Sequence, residues 1–191
     1  MSITSSDLTA WRRARRSELI DRRMAAGADE REAWDAAIEA TLETLLRNLH
    51  PALLGFYWPL RAEFDPRPLV LRLHAEGWRA ALPAVIQPRA PMHFRPWAPD
   101  APMVPGVYDI PVPQDTTMVK PDVVLAPLVG FDPQKFRLGY GGGYFDRTLA
   151  ALAPKPVTIG VGYELARLPS VQPHDFDLPM DHIITEAGLF S

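Results

Sequence analysis

The sequence predicts an α/β protein with a largely parallel sheet, helices on both faces of that sheet, and a pair of helices at the N-terminus. Short apolar segments alternate with amphipathic ones along most of the chain. This alternation is typical of β-α-β units, in which parallel strands are covered by the intervening helices. The length of 191 residues suffices for one well-buried domain and is short for two. We therefore expect a single domain over residues 1–191.

Two helices are predicted before the first strand. The stretch SSDLTAWRRARRSELIDRRMAA has a helical pattern up to Gly27 and contains six arginines. The stretch ADEREAWDAAIEATLETLLRNL is predicted to be the second helix. It carries an apolar stripe at helical spacing, which indicates core packing. That stripe consists of Trp34, Ile38, Leu42, Leu45 and Leu49.

The rest of the chain is predicted to alternate strands with two further helices. The predicted strands are ALLGFYWPL, WRAALPAV, PMHFRPW, PDVVLAPLVGF, PVTIGVGY and DHIITEAG. The predicted helices are PRPLVLRLHAEG and GYFDRTLAALA. Between Pro83 and Pro121 the chain is rich in proline, which fixes φ and removes an N–H donor. GVYDIPVP in this region is therefore predicted to be a loop.

Composition excludes several classes of function. The net charge of −3 gives no reason to expect a nucleic-acid partner. The chain has no cysteine, which excludes disulfides, thiolate nucleophiles and Cys-bound zinc. No apolar run approaches the roughly 20 residues that span a bilayer, and the N-terminus lacks an apolar signal core. We expect a cytoplasmic protein without a membrane partner. His50, His74 and His93 are isolated and are interpreted as structural, and the spacing of His174 and His182 matches no recognised zinc pattern.

The segment FRLGYGGGYFDR, residues 136–147, is the strongest candidate for a binding site. It follows a buried strand and precedes a helix, and therefore lies at the carboxyl edge of the sheet. Its glycines allow several backbone N–H groups to converge on an anion at the helix N-terminus, and Arg137 adds a charged contact. We favour a phosphate site over the alternative, a turn that only lets strand and helix pack closely. GxxxxGK[ST] is absent, and Tyr144 breaks GxGxxG.

Asp146 has two interpretations that the spacing alone does not separate. A carboxylate beside a phosphate is favourable when Mg²⁺ stands between them. An acidic residue in the first turn of a helix is also stabilising by itself, through the helix dipole.

The stretch PDVVLAPLVGFDPQKFRLGYGGGYFDRTL closely resembles the signature of the 5-formyltetrahydrofolate cyclo-ligases, or methenyltetrahydrofolate synthetases. The arginine-rich first helix, YWPLRAEFD and HDFDLPMDHIITE follow in the order that the family shows. The resemblance implies a NagB/RpiA/CoA-transferase-like architecture and an ATP- and Mg²⁺-dependent enzyme. Such an enzyme phosphorylates the formyl oxygen of 5-formyltetrahydrofolate to an N5-iminium phosphate, which N10 converts to 5,10-methenyltetrahydrofolate with release of ADP and phosphate.

The resemblance also implies roles for individual residues. Arg137 and Tyr144 are the candidate catalytic residues, and Asp146 and Asp177 the candidate magnesium ligands, with Asp175 an alternative to Asp177. The implied ATP contacts are Arg12, Arg16, Arg137, Leu138, Gly139, Tyr140, Gly141, Gly142, Gly143, Tyr144 and Phe145. The implied folate contacts are Trp58, Glu63, Tyr140, Gly141, Gly142, Gly143 and Tyr144.

Some of these assignments have structural alternatives. Trp58 and the neighbouring Tyr57 either stack on the pterin or face the core. The family usually has Lys where this chain has Arg12, yet Arg12 and Arg16 keep two cations one helical turn apart. A basic surface in contact with solvent is the alternative for that pair.

Two other functions compete with the cyclo-ligase. One is a family member that binds nucleotide and folate, or another carboxylated ligand, without turnover. The other is an unrelated sugar-phosphate or acyl-CoA enzyme, since fold alone does not settle function. The partner expected for the leading hypothesis is the small-molecule folate, bound by a monomer.

Overall fold

The computed structural model describes residues 5–49 and 52–191. His50, interpreted above as structural, and Pro51 lie outside the described residues. The helices are α1 (Ser5–Ala25), α2 (Ala28–Arg47), α3 (Arg67–Ala75) and α4 (Tyr144–Ala151). The strands are β1 (Leu53–Gly55), β2 (Arg79–Ala84), β3 (His93–Trp97), β4 (Met103–Pro105), β5 (Pro111–Pro113), β6 (Val123–Pro127), β7 (Gly130–Phe131), β8 (Arg137–Leu138), β9 (Val157–Val161), β10 (His182–Thr185) and β11 (Gly188–Phe190).

Seven strands form the central sheet in the order β11-β10-β9-β6-β1-β2-β3. The five inner strands are parallel to their neighbours, and an antiparallel strand closes each edge. The chain runs from β1 outward to β2 and β3, and then from β6 outward in the opposite direction through β9 and β10. The strand order therefore reverses between β1 and β6, which is where open α/β sheets leave a crevice at their carboxyl ends.

Helices cover both faces of this sheet, as the alternation of segments predicts. One face packs against α2 and α3, whose fully buried residues include Ile38, Leu42 and Leu69. The opposite face packs against α4 through Leu149, together with the segment that follows β6. Burying these apolar surfaces contributes about 25 cal/mol per Å² of area removed from water.

The first helix does not lie on the sheet. Leu19 and Ile20 of α1 pack against Val129, Leu138 and Val171 in a separate apolar cluster. Val129 follows β6, Leu138 belongs to β8, and Val171 lies in the segment between β9 and β10. The helix thereby presents its arginine-rich face to the crevice at the carboxyl edge.

The structure corrects the extent of two predicted strands. ALLGFYWPL forms a strand only at residues 53–55, and the rest of it is an irregular crossing over the sheet edge. PDVVLAPLVGF is not one strand, because β6 ends at Pro127 and the chain then enters the β7–β8 hairpin. The turn of that hairpin is organised by Asp132, whose carboxylate accepts hydrogen bonds from three backbone N–H groups, those of Gln134, Phe136 and Val171.

The predicted loop GVYDIPVP is also only partly a loop. Residues 107–109 form a short 3-10 turn, and β5 then pairs antiparallel with β4. Prolines are tolerated here because β4 and β5 form a two-stranded ribbon with free edges. The predicted strand DHIITEAG contains β10 and the turn that leads into β11, and β11 is an edge strand that the sequence pattern does not predict.

None of the helices in the described part of the chain combines the length and the apolar character that crossing a bilayer requires.

Candidate active site

The candidate site lies at the carboxyl ends of β1 and β6. These strands are neighbours, and the segments that follow them meet above the crevice where the strand order reverses. The segment after β1 carries Glu63, and the segment after β6 passes through the β7–β8 hairpin into the glycines. Topology therefore brings together two motifs that are far apart in the sequence.

The glycine loop, residues 139–143, joins β8 to α4. Gly141 and Gly143 have φ of 97° and 63°, a left-handed conformation that favours glycine. The backbone N–H groups of residues 140–143 donate no hydrogen bond to any residue that the structure describes. Unpaired N–H groups at a helix N-terminus attract an anion. The loop therefore has the properties of the predicted phosphate site.

Arginines of α1 surround this loop. Arg16 donates from Nε to the carbonyl oxygen of Gly139 at 2.7 Å. Burial, and next the nearby charge of Arg12, lower the pKa of Arg16. Arg12 is itself buried, donates from Nε to the carbonyl oxygen of Val171 at 3.3 Å, and forms an ion pair with Asp177. Arg12 and Arg16 are therefore not a basic surface in free solvent, which is the alternative interpretation of the pair.

Arg137 lies beneath the loop with only 6% of its surface exposed. Its Nη2 is 3.0 Å from Oδ2 of Asp146, and its guanidinium lies over the ring of Phe145. Burial lowers the pKa of Arg137, whereas the charges of Asp146 and Asp177 raise it. Its Nε–H is buried and has no hydrogen-bond partner among the described residues. An arginine with an unused donor is suited to bind an oxyanion.

Asp146 and Asp177 lie close enough for their charges to interact. Burial raises the pKa of Asp146, Arg137 lowers it, and the charge of Asp177 raises it again. Asp177 accepts a hydrogen bond from the backbone N–H of His174 at 2.8 Å, while Asp175 is exposed. The geometry favours Asp177 over Asp175 as the partner of Asp146.

These two carboxylates fit a magnesium ion. Mg²⁺ prefers oxygen ligands and usually takes one or two carboxylates together with water and phosphate oxygens. No group of three or more acidic or histidine side chains gathers as a metal site within residues 5–49 and 52–191. The two aspartates lie at the N-terminal end of α4 and in the segment before β10, on the side of the glycine loop that carries Arg137.

Glu63 forms the second part of the site. Its carboxylate accepts hydrogen bonds from the hydroxyl of Tyr140 at 2.6 Å and from the backbone N–H of Leu60 at 2.8 Å. Arg23 places Nη2 3.7 Å from the same carboxylate. Burial raises the pKa of Glu63, while the hydrogen bond from Tyr140 and the charge of Arg23 lower it. Tyr140 belongs to the glycine loop, so it connects the two parts of the site.

The remaining aromatic residues differ in their surroundings. Tyr57 is buried and donates to the carbonyl oxygen of Phe64 at 3.0 Å, so it faces the core. Trp58 is partly exposed, with the guanidinium of Arg67 4.5 Å from its ring centroid. Tyr144 lies beside Tyr108, the tip of the β4–β5 hairpin.

Burial, and next the adjacent side chain of Tyr108, raise the pKa of Tyr144. The proline-rich hairpin thus reaches the first residue of α4.

The structure brings most of the predicted site residues to one crevice. The exceptions are Leu138, whose side chain is buried against α1, and Phe145, which packs at the edge of both sheet-face clusters. Sequence reasoning missed Arg23, although a signal exists. Arg12, Arg16, Leu19 and Arg23 follow one another at intervals of four, three and four residues and therefore lie on one face of α1.

The fold and the site together define a class of protein: an α/β protein with a polar crevice at its switch point, lined by unpaired loop N–H groups, arginines and carboxylates. The family model of the 5-formyltetrahydrofolate cyclo-ligases matches residues 8–186. The chain therefore belongs to the 5-formyltetrahydrofolate cyclo-ligase family, whose members are ATP-dependent ligases.

Individual relatives agree with this assignment. The chain is 31% identical over 136 residues to the 5-formyltetrahydrofolate cyclo-ligase of Escherichia coli, an alignment that covers 67% of this chain and 74% of the relative. The solved structure of a 5,10-methenyltetrahydrofolate synthetase from Mycoplasma pneumoniae superimposes with a TM-score of 0.76 at 25% identity, covering 92% of this chain and 98% of that one. The Aquifex aeolicus structure of the same name gives a TM-score of 0.81 at 24% identity, covering 93% and 91%, and supports the fold.

Proposed function

We propose that this chain converts 5-formyltetrahydrofolate to 5,10-methenyltetrahydrofolate with ATP and Mg²⁺, releasing ADP and phosphate. The observation that carries the proposal is the juxtaposition described above. A loop of unpaired N–H groups, bordered by Arg16 and Arg137, stands beside two aspartates and is linked through Tyr140 to the buried Glu63. One half of the crevice suits a triphosphate, and the other suits the hydrogen-bond donors of a pterin.

The nucleotide half supplies position and positive charge. The N–H groups of the glycine loop and the guanidinium of Arg16 would hold the phosphate oxygens. Arg137 would use its unpartnered Nε–H to stabilise the charge on the phosphoryl group that is transferred, which is the main demand of phosphoryl transfer. Asp146 and Asp177 would hold Mg²⁺, which neutralises phosphate charge when bound.

The cations and carboxylates of the nucleotide half form ion pairs with one another. Arg12 is paired with Asp177, and Arg137 with Asp146. When nucleotide and metal bind, the arginines would exchange carboxylate oxygens for phosphate oxygens, and the carboxylates would exchange guanidinium for the metal. The buried charges thus keep partners in both states, which avoids the large cost of an isolated buried charge.

The folate half supplies hydrogen-bond acceptors. The amino and ring N–H groups of a pterin require acceptors, and the Glu63 carboxylate is one that the fold holds rigidly. Trp58, whose ring is partly exposed, would stack on the pterin. Tyr144, at the end of the glycine loop, would contact the reacting formyl group. The protein needs no nucleophile of its own.

The chemical steps of the proposal are those that membership of the family implies. The formyl oxygen attacks the γ-phosphorus, ADP leaves, and an N5-iminium phosphate results. N10 then attacks the same carbon, the C–O bond breaks and inorganic phosphate leaves, while N10 loses its proton. Effective positioning of the two substrates is the main contribution that the protein makes.

Purified protein tests the proposal directly. The protein is mixed with 5-formyltetrahydrofolate, ATP and Mg²⁺, and the formation of methenyl-folate is followed by absorbance together with the release of ADP. We expect a signal that requires all three components. A folded protein that binds 5-formyltetrahydrofolate in a calorimeter but releases no ADP would contradict catalysis and identify a binding protein instead.

We further propose that the enzyme works as a cytoplasmic monomer, because a single chain supplies every group named above. Sedimentation of the active protein at assay concentration measures the oligomeric state. Activity confined to a dimer peak would contradict this proposal.

A further inference from the structure

Arg23 is a buried arginine to which the mechanism above gives no role. It lies near the end of α1, with 4% of its surface exposed. Its guanidinium donates from Nε to the carbonyl oxygen of Arg61 at 2.9 Å and from Nη1 to that of Leu128 at 3.2 Å. Its Nη2 donates to the hydroxyl of Tyr140 at 2.8 Å. One side chain thus joins the segment after β1, the segment after β6 and the glycine loop.

This arrangement is more than packing requires. Burying a guanidinium is costly unless its donors find partners, and an apolar side chain would fill the same space without that cost. The partners of Arg23 are not spread through the core. They all belong to the crevice, and two of them, Tyr140 and Glu63, face the proposed folate half.

The carbonyl oxygen that Arg23 holds belongs to an unusual turn. Arg61 and Ala62 both have left-handed conformations, with φ of 47° and 59°. A non-glycine residue in this region is strained and persists only where the surroundings impose it. The turn brings the backbone N–H of Leu60 to the carboxylate of Glu63 at 2.8 Å. Arg23 thereby fixes the backbone that aims Glu63.

The charge of Arg23 also faces Glu63. The other groups around this carboxylate are the Tyr140 hydroxyl from the glycine loop, the Arg61 guanidinium from its own turn, and Tyr57 from the segment after β1. Among them Arg23 is the buried cation, and its positive charge favours an ionised carboxylate. Only the ionised form offers all its oxygen lone pairs to the N–H groups of a pterin.

We propose that Arg23 is a positioning residue for the folate: it holds the Glu63 turn and Tyr140 in place and keeps the Glu63 carboxylate ionised as an acceptor. This inference rests on the proposed function of the same crevice. It distinguishes Arg23 from Arg12 and Arg16, which lie on the same face of α1 but at the nucleotide half.

Three variants test the proposal: Arg23→Met, Arg23→Lys, and Arg22→Met as the control, because Arg22 is the exposed neighbour on the same helix. For Arg23→Met we expect the KM and the calorimetric Kd for 5-formyltetrahydrofolate to rise about 10-fold or more, the effect of losing hydrogen bonds to a charged group. The KM for ATP should rise less than the KM for 5-formyltetrahydrofolate, because Tyr140 is the one residue of the glycine loop that Arg23 contacts. For the exposed control, both KM values should stay within about twofold of wild type. The acid limb of the kcat/KM profile for folate should move to higher pH.

Arg23→Lys separates charge from geometry. Lysine keeps the positive charge but lacks the planar fork that reaches three acceptors. The acid limb should therefore stay near that of the wild type, while the KM for folate rises less than in Arg23→Met. If Arg23→Met does not fold, Arg23→Lys carries the test through its folate KM alone.

The outcomes are distinguishable. If the wild-type protein shows no turnover, the proposed function is contradicted. The calorimetric Kd values of the variants for 5-formyltetrahydrofolate would then still test whether Arg23 positions the folate-binding groups. Folate KM, Kd and pH profile equal to those of Arg22→Met would overturn the inference. A parallel loss of both substrate affinities together with a lower melting temperature would overturn it as well, because Arg23 would then be merely structural.

Discussion

Ala62 is held in a conformation that its own side chain disfavours. Its φ of 59° lies in the left-handed region, which costs an L-residue with a Cβ about 1–2 kcal/mol. A local hydrogen bond offsets part of this strain, because the turn allows Glu63 to accept from the N–H of Leu60. The strain therefore sits beside a candidate functional residue, as is common at binding sites.

We expect Ala62→Gly to raise the free energy of unfolding. Glycine removes the left-handed strain but adds roughly 0.4–1 kcal/mol of unfolded-state entropy, so a net gain of about 0.5 kcal/mol remains. Denaturant unfolding measures it. Ala36→Gly is the matched control, because Ala36 is exposed in the middle of α2 and its replacement should instead cost about 1 kcal/mol. Equal losses in both variants would contradict the strain at Ala62.

Asp177 and Asp175 make a second comparison between single residues. Asp177 faces Asp146 and Arg12, whereas Asp175 is exposed. We expect Asp177→Asn to lower activity at least about 10-fold and to raise the Mg²⁺ concentration needed for half-maximal rate, because groups that tune a metal site have effects of this size. Asp175→Asn should stay within about twofold of wild type. A reversed order would reassign the second carboxylate.

The predictability of site residues from sequence depends on whether their neighbours are local. The glycine loop, Arg137 and Asp146 lie within one short segment, so the sequence alone places them together. Arg23 and Glu63 are 40 positions apart and meet only because α1 lies over the crevice. No local pattern encodes that contact. The periodic spacing of Arg23 with Arg16 indicates a shared helix face but not what the face contacts.

At the scale of elements, the glycine loop packs closely against Arg16 of α1 at Gly141. A Cβ there would lie 3.2 Å from Cζ of Arg16, and φ is 97°. We expect Gly141→Ala to displace Arg16 and raise the KM for ATP about 10-fold, through weakened charged hydrogen bonds to phosphate. Gly77→Ala is the control, because Gly77 also has φ of 97° but nothing lies within 4 Å of its added Cβ. Steady-state kinetics of both variants provide the measurement.

The outcome for Gly77→Ala is the informative one. It should lose stability through the same backbone strain and keep the ATP KM of the wild type. An ATP KM that rises equally in both variants would show that the effect on nucleotide binding comes from global destabilisation and not from the loop.

Helices are predicted here more accurately than strands, for physical reasons. An amphipathic stripe such as that of α2 repeats over five turns and ends at clear signals, so its bounds match the structure closely. The apolar character of runs such as PDVVLAPLVGF does not distinguish one strand from a strand followed by a hairpin. Only the Pro127 position marks the break, because proline cannot donate to the ladder. The prolines of β5 likewise suggest a loop, although a two-stranded ribbon tolerates them.

At the scale of the whole molecule, burial affects two acidic groups that lie near residues following the parallel strands of the sheet. Burial is the largest cause of the raised pKa of Glu63 and also of that of Asp35, which accepts a hydrogen bond from the Tyr163 hydroxyl at 2.6 Å. Tyr163 follows β9 and Glu63 follows β1, so the carboxyl edge of the sheet collects groups that bind protons more tightly when the chain is folded. Part of the pH dependence of the free energy of unfolding therefore arises from groups at this edge.

The sign of that dependence follows from linkage. A carboxyl with a raised folded-state pKa binds more protons in the folded than in the unfolded state between the two pKa values, so stability falls as pH rises through that interval. For Glu63 the interval begins near the ordinary glutamate pKa of about 4.3 and extends upward to the raised value. Removing the titrating group should remove this loss.

We therefore expect the stability of Glu63→Gln, relative to wild type, to increase as pH rises through the interval above about 4.3, by at most about 1.4 kcal/mol per pH unit for one group. Glu32→Gln, an exposed site on α2, provides the baseline for removing one negative charge. Urea unfolding at a series of pH values measures both differences. A Glu63→Gln difference that falls with pH would mean that the charge of Arg23 and the hydrogen bonds from Tyr140 and Leu60 outweigh burial. The carboxylate would then be stabilised by the fold before any folate binds.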